Sequence, residues 1–334
     1  KIPPPAAGGD IGMRRVALLS GIASHAPDID QAVLKVQPAT LGLMPGLAGA
    51  GQMAEQPISS PPQRQAIDHH PGIEMPVAAD YIPAMDVVPP KTRLFLDADF
   101  DSGLSLSPTS DQQHYLTTVM RLDAGAAVAV FNGRDGEWLA HIEKTGRRSC
   151  NLTLERPLRP QQASPDLWLM FAPVKKARLD FIAEKASEMG CRCIWPVRTG
   201  HTQVSRVNTD RMLANAIEAA EQTERLDIAD IRDFTPLAEA LTALENDRKL
   251  IFCDEAAAGQ STDNAIDVLK AAGPMPRAAI LIGPEGGFSD DERTMLASRQ
   301  NCLKVSLGPR ILRADTAAIA ALTCFQSVCG DWVQ

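Results

Sequence analysis

The chain has 334 residues, a net charge of -8 and 45% hydrophobic residues. That length suits two domains with extensions and a sizeable core, and the acidic balance excludes a protein that coats nucleic acid by bulk charge, though not one with a local basic face. No apolar run approaches the ~18 residues of a membrane span, and the seven cysteines lack zinc spacing, as expected of reduced thiols in a cytoplasmic protein that holds no metal.

Residues 1–90 carry 14 of the 25 prolines and one aromatic residue, Tyr81. Stretches such as "PPPAAGG" and "PISSPPQRQ" hold neither a period of 2 nor one of 3.6. So few large apolar side chains do not offset the entropy of ordering a chain, which predicts a low-complexity, mostly disordered extension with a short helix near Asp30–Val36. Its 8 acidic against 5 basic residues count against a targeting peptide. Met13 and Met85 are candidate starts of a shorter protein. "GLAGAG" (Gly46–Gly51) lacks the spacing and the preceding strand of a dinucleotide loop, and "DHH" (Asp68–His70) lacks the partner carboxylates of a metal phosphoesterase; both read as accidents of composition.

Residues 91–160 predict short strands: "TRLFL", "AAVAVFNG" with its Asn132-Gly133 turn, "EWLAHIEKT" and "SCNLTLERP". Between the first two, "SDQQHYLTTVMRL" predicts a short helix capped by Ser110 or Asp111. Short strands, tight turns and one helix suggest a small β-barrel. Its loops carry Arg134, Arg147, Arg148, Arg156 and Arg159, and from Arg134 to Arg178 nine basic residues face five acidic ones. A solvated surface and a phosphate-contacting patch account for this run equally well.

"QQASPDLW" is a hinge by composition, and beyond it strands and helices alternate. "LWLMFAPV" precedes the helix "KARLDFIAEKASEMG", stopped by Gly190; "CIWPV" precedes "NTDRMLANAIEAAEQTER"; "KLIFCDE" precedes "TDNAIDVLKAAG"; "AAILIG" precedes "DDERTMLASRQ"; "LKVSLG" precedes "TAAIAALTCFQSVCG". Such alternation predicts an α/β fold with a parallel sheet covered by helices on both faces.

Ligands of open parallel sheets bind beyond the carboxyl ends of strands. Two loops have that address. Gly283–Phe288 is followed by Ser289 and Glu292, a capping box. Gly308–Arg313 is followed by Asp315 or Thr316 as the cap of the last helix. Glu285 and the missing Lys-Ser/Thr of a P-loop argue against phosphate and for a neutral or cationic ligand such as S-adenosylmethionine. Ordinary strand-to-helix turns explain either loop taken singly; two of them on consecutive strands weaken that explanation.

"LIGPEGGFSDDE" followed by "VSLGPRILRADTAAIAAL" resembles the signature of the bacterial 16S ribosomal RNA (uracil-N3)-methyltransferase family, of the SPOUT class. "VKKARLDFIAEKASEMGCRCIWPV" and "EAAEQTER" resemble further blocks of that family, Glu224 standing where glycine is usual. "TRLFL" through "AHI" resembles its N-terminal PUA-like RNA-binding domain. The likeness covers about residues 91–334. It implies a SPOUT-type parallel sheet with a C-terminal trefoil knot over 165–334, a PUA-like β-barrel over 91–160, and a homodimer. It also implies S-adenosylmethionine as donor and N3 of a uridine in the 30S subunit's 16S rRNA as acceptor.

By that resemblance the donor falls to Gly283, Glu285, Gly286 and Gly287 of the first loop and to Leu307, Gly308, Ile311 and Leu312 of the second. Uracil N3 must lose a proton, and the charge spreads onto O2 and O4, where a fixed cation stabilises it. Arg313 is the first candidate for that cation and Arg310 the second; a guanidinium does not accept protons. Glu221 is a candidate base or orienter, or a plain surface carboxylate. Arg225 is a candidate for RNA phosphate or for the dimer, and Lys175, Lys176 and Arg178 with the barrel arginines would form the RNA track. Direct attack needs no metal. The alternatives are another rRNA or tRNA position, a non-catalytic RNA-binding assembly factor, or an unknotted nucleotide-binding α/β enzyme.

Overall fold

The computed structural model describes residues 90–146, 149–162, 164–174, 176–258 and 263–333. The expected disorder and short helix within 1–89 lie outside the described residues, as do Arg147, Arg148, Lys175 and the side chain of Lys176.

The first sheet is built from β1 (Arg93–Phe95), β2 (Ser105–Leu106), β3 (Ala127–Phe131), β4 (Glu137–Lys144) and β5 (Cys150–Arg159), in the order β1-β3-β4-β5-β2. β1 runs parallel to β3; the other pairings are antiparallel. Leu94, Val128, Val130, Ala140, Ile142, Leu152 and Leu154 alternate along these strands and bury one shared face. No pairing joins β1 to β2 among the described residues, so strand pairing alone does not close the small barrel that was expected. α1 (Ser110–His114) runs on into a π-helical turn, Tyr115–Val119. Its cap is Thr109, not Ser110 or Asp111, because Gln112 stands three residues after Thr109 and completes a capping box at 3.3 and 3.0 Å.

The second sheet is parallel throughout, in the order β12-β10-β11-β6-β7-β8, with β9 beside β7. Its strands are β6 (Asp166–Phe171), β7 (Cys193–Arg198), β8 (Asp230–Ile231), β9 (Thr235–Pro236), β10 (Lys249–Cys253), β11 (Arg277–Ile282) and β12 (Cys302–Val305). The helices are α2 (Lys176–Glu188), α3 (Thr209–Gln222), α4 (Leu237–Ala243), α5 (Ala265–Ala272), α6 (Asp290–Ala297) and α7 (Ala314–Val328). Along β6, Leu167, Leu169 and Phe171 pack with α2, α3, α5 and α7, while Trp168 and Met170 pack with α4 and α6. That period of two, apolar on both sides, is what helices on both faces require. α7 begins at Ala314 with Arg313 as its N-cap and no side-chain capping bond, so Asp315 and Thr316 lie inside its first turn. α4, β8 and β9 are additions to the expected elements. Among the described residues no helix is long and apolar enough to cross a membrane, and all seven cysteines are free thiols.

The two sheets meet at the end of α3. Phe95 and Phe131 pack with Ala220, Leu226 and Ile228. Arg93 donates to the carbonyls of Ala220 (2.7 Å), Glu221 (2.9 Å) and Arg225 (2.8 Å), and to Glu137 (2.7 Å). A helix C-terminus leaves carbonyls unpaired and favours a cation, and Arg93 meets both demands. Burial would push the Glu137 carboxyl up, but hydrogen bonds from Arg159 and Arg93 outweigh it and hold the group below its ordinary range.

Candidate functional site

β10 lies between β11 and β12, with Cys253 opposite both Ile282 and Val305. The three strands therefore end at one level, and the loops that leave them line a cleft open to solvent. Gly283, Leu307, Gly308, Arg310, Ile311 and Leu312 line it; Glu285, Gly286, Gly287 and Arg313 do not. The segment after β10 contributes Asp254 and Glu255, which sequence reasoning missed. The only available signal was their position at the end of "KLIFCDE", which gains meaning once the strand order is known.

The first loop is held by its own packing. A Cβ on Gly283 would stand 2.5 Å from Cε2 of Phe288, and one on Gly287 (φ 71°) would collide with the Glu255 carboxylate. Two of its three glycines thus make room for protein. Gly308 differs: its φ is 105° and nothing lies within 4 Å of the missing Cβ, so bare backbone faces open space. Ser289 and Glu292 form the expected capping box, at 3.2 and 2.9 Å, and start α6.

Charge is distributed unevenly around the cleft. Asp254 is buried and receives Arg293 Nε at 3.2 Å and Lys304 Nζ at 3.6 Å. Glu255 accepts from the Phe288 N–H at 3.3 Å and pairs with Arg293. Glu285 pairs with Arg178 at 3.2 Å, and Arg178 also approaches Asp315 at 3.7 Å. Arg310 and Arg313 are exposed, and neither side chain has a hydrogen-bonding or ion-pair partner among the described residues. These two loop guanidiniums remain available to an incoming group. Burial pushes the Cys253 thiol far up, so it supplies no thiolate. Among the described residues no group of three His, Cys, Asp or Glu side chains is placed to hold a metal ion.

Other expected residues sit elsewhere. Glu221 does not line the cleft; its Oε1 accepts from the Phe95 N–H at 2.8 Å, at the junction with the first sheet. Burial pushes its carboxyl up to about 7, the Phe95 N–H opposes this, Glu218 adds to it and Arg93 opposes it. Arg225, expected to meet RNA phosphate or a second subunit, has a side chain only 8% exposed. It donates to the carbonyls of Ser187 (2.7 Å) and Cys191 (3.0 Å) and pairs with Asp227, so its place is inside the fold. Arg134 is exposed and faces Asp99 at 2.9 Å and Asp97 at 3.7 Å.

Residues 161–326 match the RNA methyltransferase domain family, and residues 108–155 match the RNA methyltransferase PUA domain family. A ribosomal RNA small subunit methyltransferase E of Rickettsia conorii is 32% identical over 231 residues, 69% of this chain and 93% of that relative. A relative of the same name from Synechocystis is 31% identical over 227 residues, 64% of this chain and 70% of its own. Among solved structures, a Legionella pneumophila methyltransferase with bound cofactor SAM is 29% identical, with a TM-score of 0.64 over 72% of this chain and 98% of that one. A ribosomal RNA small subunit methyltransferase E of Neisseria gonorrhoeae bound to S-adenosyl methionine has the same TM-score at 23% identity, over 72% and 99%, and speaks to the fold alone.

Proposed function

This chain belongs to the ribosomal RNA small subunit methyltransferase E family, and from that premise we propose that it methylates N3 of a uridine in 16S ribosomal RNA. It is an RNA methyltransferase that uses S-adenosylmethionine. The reading includes the finer architecture: an extension over 1–90, a PUA-like RNA-binding barrel over 91–160, and a SPOUT domain over 165–334 with a C-terminal trefoil knot. It also includes a cytoplasmic homodimer acting on the 30S subunit without a metal.

The observation that carries it is the cleft at the ends of β10, β11 and β12, with two unpaired arginines in one of its loops. Its residues fit the donor. Leu307 and Leu312 offer apolar walls to an adenine, and the open backbone at Gly308 can read its edge. When bound, S-adenosylmethionine supplies an electrophilic methyl group on a sulfonium. Arg313, at the start of α7, stabilises the negative charge that develops on uracil O2 and O4, and Arg310 supports it from the cleft wall. A guanidinium holds its protons too tightly to act as the base, and Glu221, against β1, is not assigned to that step. Gly283 and Phe288 fix the first loop, and Glu285 with Arg178 closes its outer side. Arg178 and Arg134 are the described members of the proposed RNA track, to which Lys176, Lys175, Arg147 and Arg148 are added from the sequence.

The test is methylation of 30S subunits and of naked 16S RNA with labelled donor, followed by nucleoside mass spectrometry. 3-Methyluridine is the expected product. A methylated ribose, or modification of transfer RNA instead, would replace this substrate; absence of donor binding would indicate a non-catalytic assembly factor.

A further inference from the structure

The loop after β7 crosses the end of the sheet and grips the loop after β11. His201 Nδ1 lies 2.9 Å from the Gly286 carbonyl oxygen and 3.0 Å from that of Gly287. Both oxygens only accept, so Nδ1 carries the proton in these contacts. The neighbouring Gly200 N–H donates to Glu292 Oε1 at 2.8 Å, joining the same loop to the first turn of α6. Thr199 and Thr202 close the β7 loop on itself, Thr199 N–H donating to Thr202 Oγ1 at 2.9 Å. On the opposite flank of the β11 loop, Glu255 accepts from the Phe288 N–H at 3.3 Å. The turn itself is closed by the Gly287 N–H donating to the Pro284 carbonyl at 2.9 Å. The Gly286–Gly287 backbone is thus braced from two sides, and His201 supplies the only side-chain donor among the described residues that reaches its carbonyls.

We propose that His201 is a positioning residue for the donor-binding loop. Its Nδ1–H sets the Gly286–Gly287 turn, and through Pro284 that turn fixes the Gly283 wall of the cleft. His201 does not line the cleft, so it acts on the donor through the loop and not by contact. The two segments are closely apposed: a Cβ on Gly286 would stand 3.3 Å from the His201 Cβ, so one of them would have to give slightly to admit it. This inference rests on the reading of the cleft as the S-adenosylmethionine site.

Three substitutions separate the roles. The amide nitrogen of Asn occupies the place of His Nδ1, whereas that of Gln occupies the place of Nε2. His201→Ala and His201→Gln should raise Kd and KM for S-adenosylmethionine about tenfold while kcat stays within about twofold. His201→Asn should return both constants to within about twofold of wild type. Amide exchange at Gly286–Phe288 should quicken in the Ala variant and not in the Asn variant. An Ala variant with unchanged Kd and KM overturns the inference, as does Gln rescuing as well as Asn, or Asn failing as badly as Ala. Titration of wild type with S-adenosylmethionine is run first. Absence of binding there overturns the donor site and this inference together; binding there with an indifferent Ala variant overturns only the inference.

Discussion

The Gly283 Cα and the Phe288 ring share a space that admits no further carbon: a Cβ on Gly283 would stand 2.5 Å from Cε2 and 3.0 Å from Cδ2. Phe288 is 1% exposed and packs edge-on against Phe252, with ring centroids 4.9 Å apart, so it cannot step aside cheaply. Gly283→Ala should therefore cost about 1–3 kcal/mol by overpacking. It should also weaken donor binding, because Gly283 lines the cleft. Thermal unfolding and donor titration check the pair; an Ala variant with wild-type melting behaviour would mean that the ring moves freely.

Arg313 precedes α7 with an exposed side chain and no partner among the described residues. Arg313→Ala should lower kcat by about 100-fold or more, as losing a charge-stabilising donor does. Donor affinity should stay near wild type. Single-turnover methylation and donor titration on the same sample decide it, and full activity removes Arg313 from the chemistry.

Glu221 contributes a pH dependence of its own. Its carboxyl rises from an ordinary 4.5 to about 7, chiefly through burial. A carboxyl whose folded pKa exceeds its unfolded one binds more protons when folded, so its contribution to stability falls as pH rises between the two values. Glu221→Gln keeps an acceptor for the Phe95 N–H and removes this slope. The variant should gain on wild type from pH 5 to pH 8, by at most about 3 kcal/mol. Denaturant midpoints at both pH values test this; a difference that does not change with pH refutes it.

Glu224 holds φ at 62°, a left-handed conformation that a side chain resists. Its ion pair with Arg159, 3.4 Å long and exposed on both sides, returns little. Glu224→Gly should stabilise the protein by about 0.5–1 kcal/mol, strain relief exceeding the added freedom of the unfolded chain. Urea unfolding reads the sign directly, and a destabilised variant would show that the ion pair dominates.

The parts legible in the sequence are those governed by local chemistry. The strand in "LWLMFAPV", the glycine stop at Gly190 and the Ser289–Glu292 box each require only neighbours within a few residues, and each stands as expected. Strand order is different. That β10 sits between β11 and β12 follows from how crossovers pack, so Asp254 and Glu255 enter the cleft unannounced. The same limit hid His201, which lies 85 residues from its first carbonyl partner. Side-chain direction is also non-local. Arg225 follows a polar helix end and reads as a surface cation, yet it turns inward because Ser187 and Cys191 offer carbonyls there. α4 follows a proline and spans only Leu237–Ala243, too short for a helical period to stand out.

Arg93 fastens β1 to two carbonyls in the last turn of α3 and to that of Arg225 just beyond it, while a buried carboxylate orients its guanidinium. Such a rivet turns two sheets into a single gauge. A flexible hinge would let the enzyme accept many spacings between the segment it grips and the base it modifies. A riveted one holds the two sheets at one spacing, so whatever spans them meets a fixed distance.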